Sequence, residues 1–474
     1  MPFFIFLYLV SIIYHEKTAI KLCEHAQLVL SMCFMAFIFN ADYLAVNLAI
    51  PSLASEFHDS LETIQWVLSG YILIWSILVI PAGKLLETYS TRRTAISGVA
   101  LFMLASVFAG MSQHTATIIL SRMLQGAGAA IFLPACYTMM FNHFSENERG
   151  KVMGYISLAV GVGLALGPVL GGALIEWYRW PAIFFINIPI ALLVITVIYF
   201  FDNQHTPNSS AANIMSKSSF ILLAFILPSF LFVLSQFNDW TTNHLLYCSL
   251  IVAVVCASLI FINLQKKIKN PLIPPNLFKN PHILACYLGI FIVEFGFSTV
   301  VVVFGLYLQN QAHFSSLESS LIFLAMTVTF GLISVYGGRL TDKKGILKPV
   351  MLGLIILGCG CLLFPLLEQQ GHLNWLYPLL MLMGLGTGLA FTALNAGIVK
   401  VTDAEQVGIS SSIFAMITLI GNAMGIAVST IIYLSHGIDA SLYLSGTLCL
   451  LTAMIYSKLM RAKQNNQELK GTLA

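Results

Sequence analysis

The sequence predicts an all-α membrane protein, a bundle of 14 transmembrane helices in a 6+2+6 arrangement of two pseudo-symmetric halves. Three observations predict this fold class. The composition is too apolar for a soluble domain, long apolar runs follow one another along the chain, and patterns of the first half return in the second. Two similar halves around a shared site near the membrane midplane are an architecture of secondary transporters.

The composition limits the class of protein. Of the 474 residues, 58% are hydrophobic and only 9% are charged, whereas about a quarter of the residues of soluble domains are charged. The net charge of +3 is too small and too dispersed for a nucleic-acid-binding surface. The nine cysteines are odd in number and lie mostly in apolar runs, which is typical of core residues. We therefore expect no soluble enzyme, no nucleic-acid partner, no metal site and no cofactor.

The helical elements follow from the length of the apolar runs. A helix needs about 20 apolar residues to cross a hydrocarbon core of about 30 Å. The runs are too long, and alternate too little, for the strands of an outer-membrane barrel. The predicted spans are 27–50, 63–82, 95–112, 115–140, 151–174, 182–201, 218–236, 244–264, 283–308, 317–338, 347–366, 374–398, 407–434 and 440–460.

These spans predict five parts of the chain. The parts are an N-terminal segment (1–26), a first six-helix half (27–201), a linker with two inserted transmembrane helices (202–282), a second six-helix half (283–461) and a cytoplasmic tail (462–474). The first 13 residues, MPFFIFLYLVSII, are also apolar, but at about 1.5 Å per residue they reach only about 20 Å. We interpret them as an interfacial stretch, because a fifteenth span would reverse the charge pattern of the loops.

The positive side chains predict the orientation. All but two of the 23 Lys and Arg lie in the odd-numbered connections or in the tails; the exceptions are Arg122, inside a span, and Arg179. Short connections that are rich in Lys and Arg stay on the cytoplasmic side. The sequence therefore predicts a multi-pass protein with both termini in the cytoplasm.

An internal repeat links the two halves. The loop GKLLETYSTRR, which begins at Gly83, returns as GRLTDKKGILK at Gly338, about 255 residues later. The pair Gly163 and Gly167 returns as Gly421 and Gly425, about 258 residues later. Both offsets fit one six-helix half plus two inserted helices.

Three charged residues lie well inside predicted spans, away from the span ends, where a charge costs at least about 2.5 kcal/mol. They are Asp42, Arg122 and Glu294. Asp42 lies nine residues before Pro51 and Arg122 seven after Thr115, which are similar depths, so the two can pair. A permanent salt bridge and a pair that protonation of Asp42 switches both stay open.

Glu294 lies near the middle of its span, with no Lys or Arg on a neighbouring turn. An unpaired carboxyl at this depth suits a group that carries protons or contacts a cationic substrate. A glutamic acid kept neutral by hydrogen bonds in the core is the alternative. Glu294 follows Asp42 by 252 residues, and we therefore expect it to occupy a comparable place in the second half.

Glycines dominate one face of the fifth span. Gly163, Gly167 and Gly171 follow one another at four-residue spacing and therefore let a neighbouring helix approach closely. Pro168 predicts a bend at this face. Simple tight packing and a dry seal between the halves are both consistent with this pattern.

Seven stretches of the chain carry a recognisable pattern. They are DYLAVNLAIP (42–51), GKLLETYSTRR (83–93), LSRMLQGAGAA (120–130), GLALGPVLGG (163–172), RWPAIFFINIP (179–189), NPLIPPNLFKN (270–280) and GRLTDKKGILK (338–348). In this order, they resemble the major facilitator superfamily and, within it, the fourteen-helix drug:proton antiporters of bacteria. The second-half loop keeps the superfamily pattern, whereas in the first-half loop Glu87 replaces an Asp and Ser90 replaces a Gly.

The resemblance implies a major-facilitator-type bundle that exports small amphipathic drugs, lipophilic cations among them, in exchange for protons across the bacterial cytoplasmic (inner) membrane. Its partners would be a small-molecule substrate, protons and the lipid bilayer, with a periplasmic adaptor protein left open for a host that has an outer membrane. An exporter dedicated to one metabolite, such as a siderophore, and a non-transporting sensor or scaffold are the alternatives. No ATP-binding loop GxxxxGK[ST] occurs, so ATP hydrolysis is not expected.

We assign the functional residues to four groups. The residues assigned to proton coupling are Asp42, Arg122 and Glu294. The residues assigned to the substrate cavity are Tyr43, Asn47, Trp66, Tyr71, Gln125 and Tyr307. The antiporter motif consists of Gly163, Gly167, Pro168, Gly171 and Gly172. The cytoplasmic gating loops contain Gly83, Glu87, Arg92, Arg93, Gly338, Asp342 and Gly345.

Overall fold

The computed structural model describes residues 18–64, 66–86, 89–201, 217–235, 244–268, 271–311, 316–368 and 375–471. The apolar 13-residue start of the chain lies outside this part. The long helices are α1 (Thr18–Phe57), α2 (Trp66–Leu85), α3 (Thr91–Gly110), α4 (Thr115–His143), α5 (Glu146–Tyr178), α6 (Asn187–Phe201), α7 (Lys217–Ser235), α8 (His244–Lys267), α9 (Pro281–Asn310), α10 (Ser316–Lys344), α11 (Leu347–Glu368), α12 (Leu376–Val401) and α13 (Val407–Gly471).

Twelve helices in the described residues are long and apolar enough to cross a membrane. One of them belongs to α13, which Gly437 interrupts with a φ of 83°, a conformation that glycine adopts readily. The break lies between the two spans predicted for this region. The described apolar part of α7, Ser218–Phe230, is shorter. The all-helical membrane fold is confirmed, while the count of 14 and the 6+2+6 layout stay predictions.

Polar side chains begin several of these helices. Ser90 precedes α3, and its Oγ accepts a hydrogen bond from the backbone N–H of Arg93 at 3.4 Å. Asn280 precedes α9, and its Oδ1 accepts from the backbone N–H of His282 at 3.0 Å. Such caps satisfy N–H groups that have no partner in the first helical turn.

The long helices pack into two groups, α1–α6 and α9–α13, with a seam between them. In the first group α1 packs on α5 and α6, and α4 packs on α2 and α3. In the second, α9 packs on α13, and α12 packs on α10 and α11. Contacts of α5 with α10 and of α2 with α13 join the two groups.

Helices α7 and α8 lie outside these two groups. Helix α7 contacts both α2 and α13, so it lies where these two helices of the two groups meet. Helix α8 packs on α7. On α8, Leu245, Val252 and Leu259 are 77%, 61% and 58% exposed. A face this apolar and exposed is typical of a helix that borders lipid.

Candidate functional site

The first half contains a buried ion pair. Asp42 Oδ2 on α1 pairs with Arg122 Nη1 on α4, and the two side chains are 1% and 0% exposed. Their similar depth in the sequence predicts that they can pair, and the structure brings them together. Arg122 Nε also donates to the carbonyl oxygen of Val67 on α2, at 3.1 Å. Three helices thus meet at one pair of opposite charges.

Three neutral side chains complete a ring around the ion pair, which we call the polar ring. Arg122 Nη1 donates to Gln125 Oε1 at 2.7 Å, and Gln125 Nε2 donates to Ser106 Oγ on α3 at 2.7 Å. Asn187, the first residue of α6, donates through Nδ2 to Asp42 Oδ1 at 2.8 Å and lies 3.4 Å from Ser106 Oγ. These hydrogen bonds offset part of the cost of burying two charges.

Aromatic rings surround the guanidinium group of Arg122. Its Cζ lies 4.4 Å from the ring centroid of Tyr71 and 5.9 Å from that of Phe184. The rings of Tyr43 and Tyr71 stack with centroids 6.4 Å apart. Because a π face attracts a cation, Arg122 keeps favourable contacts when the charge of Asp42 is removed.

The glycine face of α5 packs against α1, the helix that bears Asp42. A Cβ atom at Gly163 would lie 2.6 Å from the carbonyl oxygen of Phe37. At Gly167 it would lie 2.9 Å from the carbonyl oxygen of Ala41, next to Asp42. Side chains at these glycines would therefore push α5 away from α1.

The remaining motif positions on α5 differ from one another. A Cβ atom at Gly171 would lie 2.7 Å from the Cα of Ala45, so Gly171 continues the glycine face. Gly172 has no atom within 4 Å of that position. Pro168 lies within the helical run of α5. The role of these residues as an antiporter motif stays a prediction.

The second half repeats the glycine packing. A Cβ atom at Gly421 would lie 2.6 Å from the carbonyl oxygen of Phe291, and one at Gly425 would lie 2.5 Å from that of Phe295. Gly163 contacts Phe37 in the same manner. Phe37 and Phe291 are 291 − 37 = 254 residues apart, so 254 is the offset between α1 and α9.

This offset corrects the predicted equivalence of Asp42 and Glu294. With this offset, the position in α1 that is equivalent to Glu294 is 294 − 254 = 40, which is Asn40. Asn40 lies two residues before Asp42 and on another face of the helix. The position equivalent to Asp42 is Gly296, beside Leu357 and Cys449. The expectation of a comparable place was wrong by two residues, because the loops differ in length and the offset changes from helix to helix. No counterpart of the Asp42 carboxylate therefore stands at this position in α9.

Glu294 is buried in α9, 8% exposed. Its carboxyl group interacts with the side-chain amide of Asn422 on α13. No cationic side chain pairs with Glu294 in the described part of the chain. Since a neighbouring amide can donate to a carboxylate or accept from a carboxylic acid, this environment accommodates both protonation states.

The second-half loop connects the two halves through Asp342. Its Oδ1 and Oδ2 accept from the backbone N–H groups of Gly150 and Lys151 on α5, at 2.8 and 2.7 Å. Lys400 Nζ on α12 pairs with Asp342 Oδ1 at 2.8 Å, and both side chains are 7% exposed. Asp342 therefore joins α10 to the first turns of α5, where a helix favours negative charge.

The loop glycines allow helices of opposite halves to touch. A Cβ atom at Gly338 would overlap the carbonyl oxygen of Gly150. One at Gly83 would lie 2.7 Å from the carbonyl oxygen of Gly408 on α13. Gly345 has a φ of 76° and ends the second-half loop in a conformation that favours glycine.

The first-half loop is described in part. Glu87 lies outside the described residues. The guanidinium of Arg92 stacks 4.5 Å above the ring centroid of Tyr199 on α6, and Arg93 is exposed. In the second-half loop, Asp342 bridges the halves by hydrogen bonds to Gly150 and Lys151.

The residues predicted to line a substrate cavity have different surroundings. Asn47 and Trp66 are exposed, and Tyr43 is partly buried. Tyr71 is 1% exposed and packs on Arg122. Tyr307 lies within the second half, its ring centroid 5.5 Å from that of Phe364 on α11. With Gln125 in the polar ring, the cavity assignment stays a prediction.

Sequence reasoning missed three site residues. Ser106 and Asn187 complete the polar ring, and Asn422 contacts Glu294. Asn187 lies in the stretch RWPAIFFINIP, which carries the resemblance, so a signal for it existed. Ser106 and Asn422 are uncharged residues inside apolar spans and had no comparable signal.

Comparisons with known proteins agree with the fold and the motifs. The family described as the Major Facilitator Superfamily matches residues 32–267 and 286–472. The multidrug transporter protein MdtP of Bacillus subtilis is 25% identical over 400 residues, covering 84% of this chain and 73% of that protein. The riboflavin transporter RibZ of Clostridioides difficile is 27% identical over 405 residues, covering 84% and 85%. The outward-facing crystal structure of a bacterial homologue of the iron transporter ferroportin superposes with a TM-score of 0.68 at 12% identity, covering 92% and 99%.

Proposed function

The chain belongs to the Major Facilitator Superfamily, and on this premise we propose that it is a proton-coupled antiporter of the bacterial cytoplasmic membrane. It exports small amphipathic compounds, lipophilic cations among them, by alternating access. It has 14 transmembrane helices in a 6+2+6 layout, with α13 forming two spans around Gly437 and with both termini in the cytoplasm. Relatives named as multidrug transporters support export of drugs.

The observation that carries this proposal is the buried ion pair of Asp42 and Arg122. A proton that binds Asp42 removes the attraction between the two side chains. The contacts of Arg122 with Val67, Gln125 and Tyr71 do not depend on that charge. Protonation therefore releases Asp42 from Arg122 and lets α1 move relative to α4.

The glycine face passes this change to the seam between the halves. Helix α1 packs on α5 through Gly163 and Gly167, and α5 in turn packs on α10 of the other group. A Cβ atom at Gly161 would lie 3.0 Å from the Cα of Gly331 on α10. A small shift of α1 therefore reaches the contacts that hold the two halves together.

The described contacts between the halves support an outward-facing arrangement. Asp342 binds Gly150 and Lys151, and Tyr137 donates to Asn395, all near the Lys- and Arg-rich connections. These connections are cytoplasmic by the charge rule. With the cytoplasmic side closed in this way, the exchange of proton and substrate takes place from the outer side.

Glu294 gives the second half a group that can recognise positive charge. It is buried beside Asn422 and has no cationic partner in the described residues. A carboxylate in such a place is stabilised when an organic cation arrives to pair with it. Lipophilic cations are therefore favoured over anions as substrates.

Transport is tested by flux in membrane vesicles that contain the purified protein. A pH gradient, acidic on the outer side, should drive a fluorescent lipophilic cation out of the cytoplasmic compartment, and collapse of the gradient should stop it. A sensor or scaffold would show no such flux. Gradient-independent flux would contradict proton coupling while leaving a transporter.

A dedicated exporter of one metabolite is the second candidate. It is supported by the relative RibZ, which is named for a single compound, riboflavin. A panel of drugs and metabolites tested for efflux in a host without its own pumps separates the two. Several unrelated substrates indicate a multidrug exporter, and one compound indicates a dedicated one. In a host with an outer membrane, co-purification tests for a periplasmic adaptor.

A further inference from the structure

Asn187 binds the oxygen of Asp42 that Arg122 leaves free. Its Nδ2 donates to Asp42 Oδ1 at 2.8 Å, while Arg122 Nη1 holds Oδ2. Asn187 is 2% exposed and begins α6, a helix that carries no other member of the polar ring. The carboxylate is thus held between one charged and one neutral donor.

The two partners of Asp42 differ in hydrogen-bonding capacity. A guanidinium group only donates, so Arg122 has nothing to offer the O–H of a protonated carboxyl group. A carboxamide both donates and accepts. None of the hydrogen bonds of the described ring uses Asn187 Oδ1, and Nδ2 and Oδ1 exchange places when the amide rotates by half a turn.

The other members of the ring are already engaged. Ser106 Oγ donates to the carbonyl oxygen of Phe102 at 2.8 Å and accepts from Gln125 Nε2. Gln125 Oε1 accepts from Arg122. Of the ring members, Asn187 is therefore the side chain with an unused acceptor next to Asp42.

We infer that Asn187 is a positioning residue that holds Asp42 in both protonation states. Through Nδ2 it donates to the carboxylate. When a proton from the aqueous phase binds Asp42, the amide rotates and Oδ1 accepts the new O–H, and loss of the proton reverses the rotation. The rotation breaks the hydrogen bonds that Nδ2 donates to Asp42 Oδ1 and to Ser106 Oγ, and the O–H of Asp42 is the only covalent bond that forms. This inference rests on the proposed function, because it assigns a role to Asn187 in the titration of Asp42.

The groups that surround Asp42 define the electrostatic setting. Arg122 on α4 is the charged neighbour, and Tyr71 on α2 and Tyr43 on α1 itself are the titratable ones. Helices α3 and α6 contribute neutral groups, Ser106 and Asn187, and α5 contributes its glycine face. None of these groups except Asn187 is altered in the experiment below.

Removing the amide should change the pH at which Asp42 binds its proton. A hydrogen bond to a charged group is about twice as strong as one between neutral groups, so Asn187 favours the ionised form more than the neutral one. Without it, the midpoint of the Asp42 titration should differ from that of the wild type.

Infrared difference spectroscopy measures this midpoint on the purified, full-length protein, with protons as the only probe. The carboxylic C=O band of Asp42 is identified by its disappearance in Asp42→Asn. Asn187→Leu, which keeps the shape, and Asn187→Ala, which serves if the larger residue impairs folding, should both change its midpoint. Asn40→Ala is the matched control, because the Asn40 amide bonds the carbonyl oxygen of Ala36 outside the ring.

The outcomes separate the inference from the proposed function. A changed titration midpoint of the Asp42 band in both Asn187 variants, with the wild-type midpoint in Asn40→Ala, supports the positioning role. The wild-type midpoint in the Asn187 variants overturns it and leaves proton coupling intact. If no titrating band depends on Asp42 at all, the proposed proton coupling itself fails.

Discussion

Tyr137 of α4 donates a hydrogen bond to Asn395 of α12, and the two residues are 258 residues apart. On the same two helices, Gly128 packs against Gly98 of α3 and Gly386 packs against Gly353 of α11 in the same way, and these two glycines are also 386 − 128 = 258 residues apart. Tyr137 and Asn395 therefore occupy equivalent places and meet across the seam. Both are buried, so this bond closes the bundle near the axis that relates the halves.

Removing the hydroxyl of Tyr137 should weaken the closure of the side that we propose to be cytoplasmic. Tyr137→Phe leaves the buried Asn395 without this donor, which costs about 1 to 3 kcal/mol in the closed state only. We expect a population with the cytoplasmic side open, seen as a longer distance between spin labels at the cytoplasmic ends of α4 and α12. Thr138→Val is the control, since Thr138 bonds within its own helix, to the carbonyl oxygen of Pro134. Equal distances in the wild type, Tyr137→Phe and Thr138→Val would show that the Tyr137–Asn395 hydrogen bond does not hold this side closed.

Asp342→Asn should open the same side by a different route. The substitution removes the charge that pairs with Lys400 and that accepts from Gly150 and Lys151. Breaking a buried pair in this way costs about 3 to 5 kcal/mol. A cysteine placed in α5 at the seam should react faster with a soluble maleimide from the cytoplasmic side. Lys343 is an exposed neighbour, and a protein with Lys343→Gln should react at the wild-type rate. An unchanged rate in Asp342→Asn would show that the contacts of Asp342 do not hold this side closed.

Gly167→Leu should block turnover. A Cβ atom there would already lie 2.9 Å from the carbonyl oxygen of Ala41, so a leucine must separate α5 from α1. We expect at least about a tenfold loss of transport at normal abundance in the membrane. Gly305→Leu is the matched control, because no atom lies within 4 Å of its Cβ position. Normal transport by Gly167→Leu would show that the close packing of α5 on α1 is dispensable.

Glu294→Gln should separate substrates by charge. The substitution keeps the hydrogen bond with Asn422 but removes the group that can pair with a cation. Export of monovalent and divalent organic cations should fall by about tenfold or more, while neutral compounds are spared. Loss of every substrate to the same extent would instead place Glu294 in proton coupling, and a wild-type protein that exports only anions would contradict the cation proposal.

The inserted helices should be dispensable for substrate binding. Helix α8 presents Leu245 and Val252 outward, and α7 touches the bundle only at α2 and α13 among the described contacts. A photoreactive substrate analogue should therefore label the two six-helix halves and leave residues 218–264 unlabelled. Preferential labelling of 218–264 would contradict their peripheral place.

Much of the fold could be predicted because a bilayer imposes simple rules. Helix length and apolar composition are enough to find most spans. The pairing of Asp42 and Arg122 followed from depth alone, since two opposite charges at one level of a membrane have few other partners. Weaker signals were lost where a helix is short or interrupted, as in α7 and at Gly437.

The rest of the site depends on side-chain direction, which a linear offset does not contain. Glu294 seemed to match Asp42, yet the packing of Phe37 and Phe291 shows that a shift of two residues separates them. Two residues turn a helix by about 200°, enough to move a side chain to the opposite face. Asn187 was missed for another reason: the stretch RWPAIFFINIP draws attention to it, but only its distance to Asp42 Oδ1 shows which group it contacts.

The central claim is that Asp42 couples export to proton movement. Its most direct test measures proton and substrate flux together in proteoliposomes, for the wild type and for Asp42→Asn, which keeps the shape and removes the titrating charge beside Arg122. We predict that wild-type protein moves protons against substrate and accumulates substrate along a pH gradient. Asp42→Asn should be folded and inserted in the membrane, yet neither move protons nor accumulate substrate. Wild-type rates in Asp42→Asn, with the normal dependence on the pH gradient, would contradict the account.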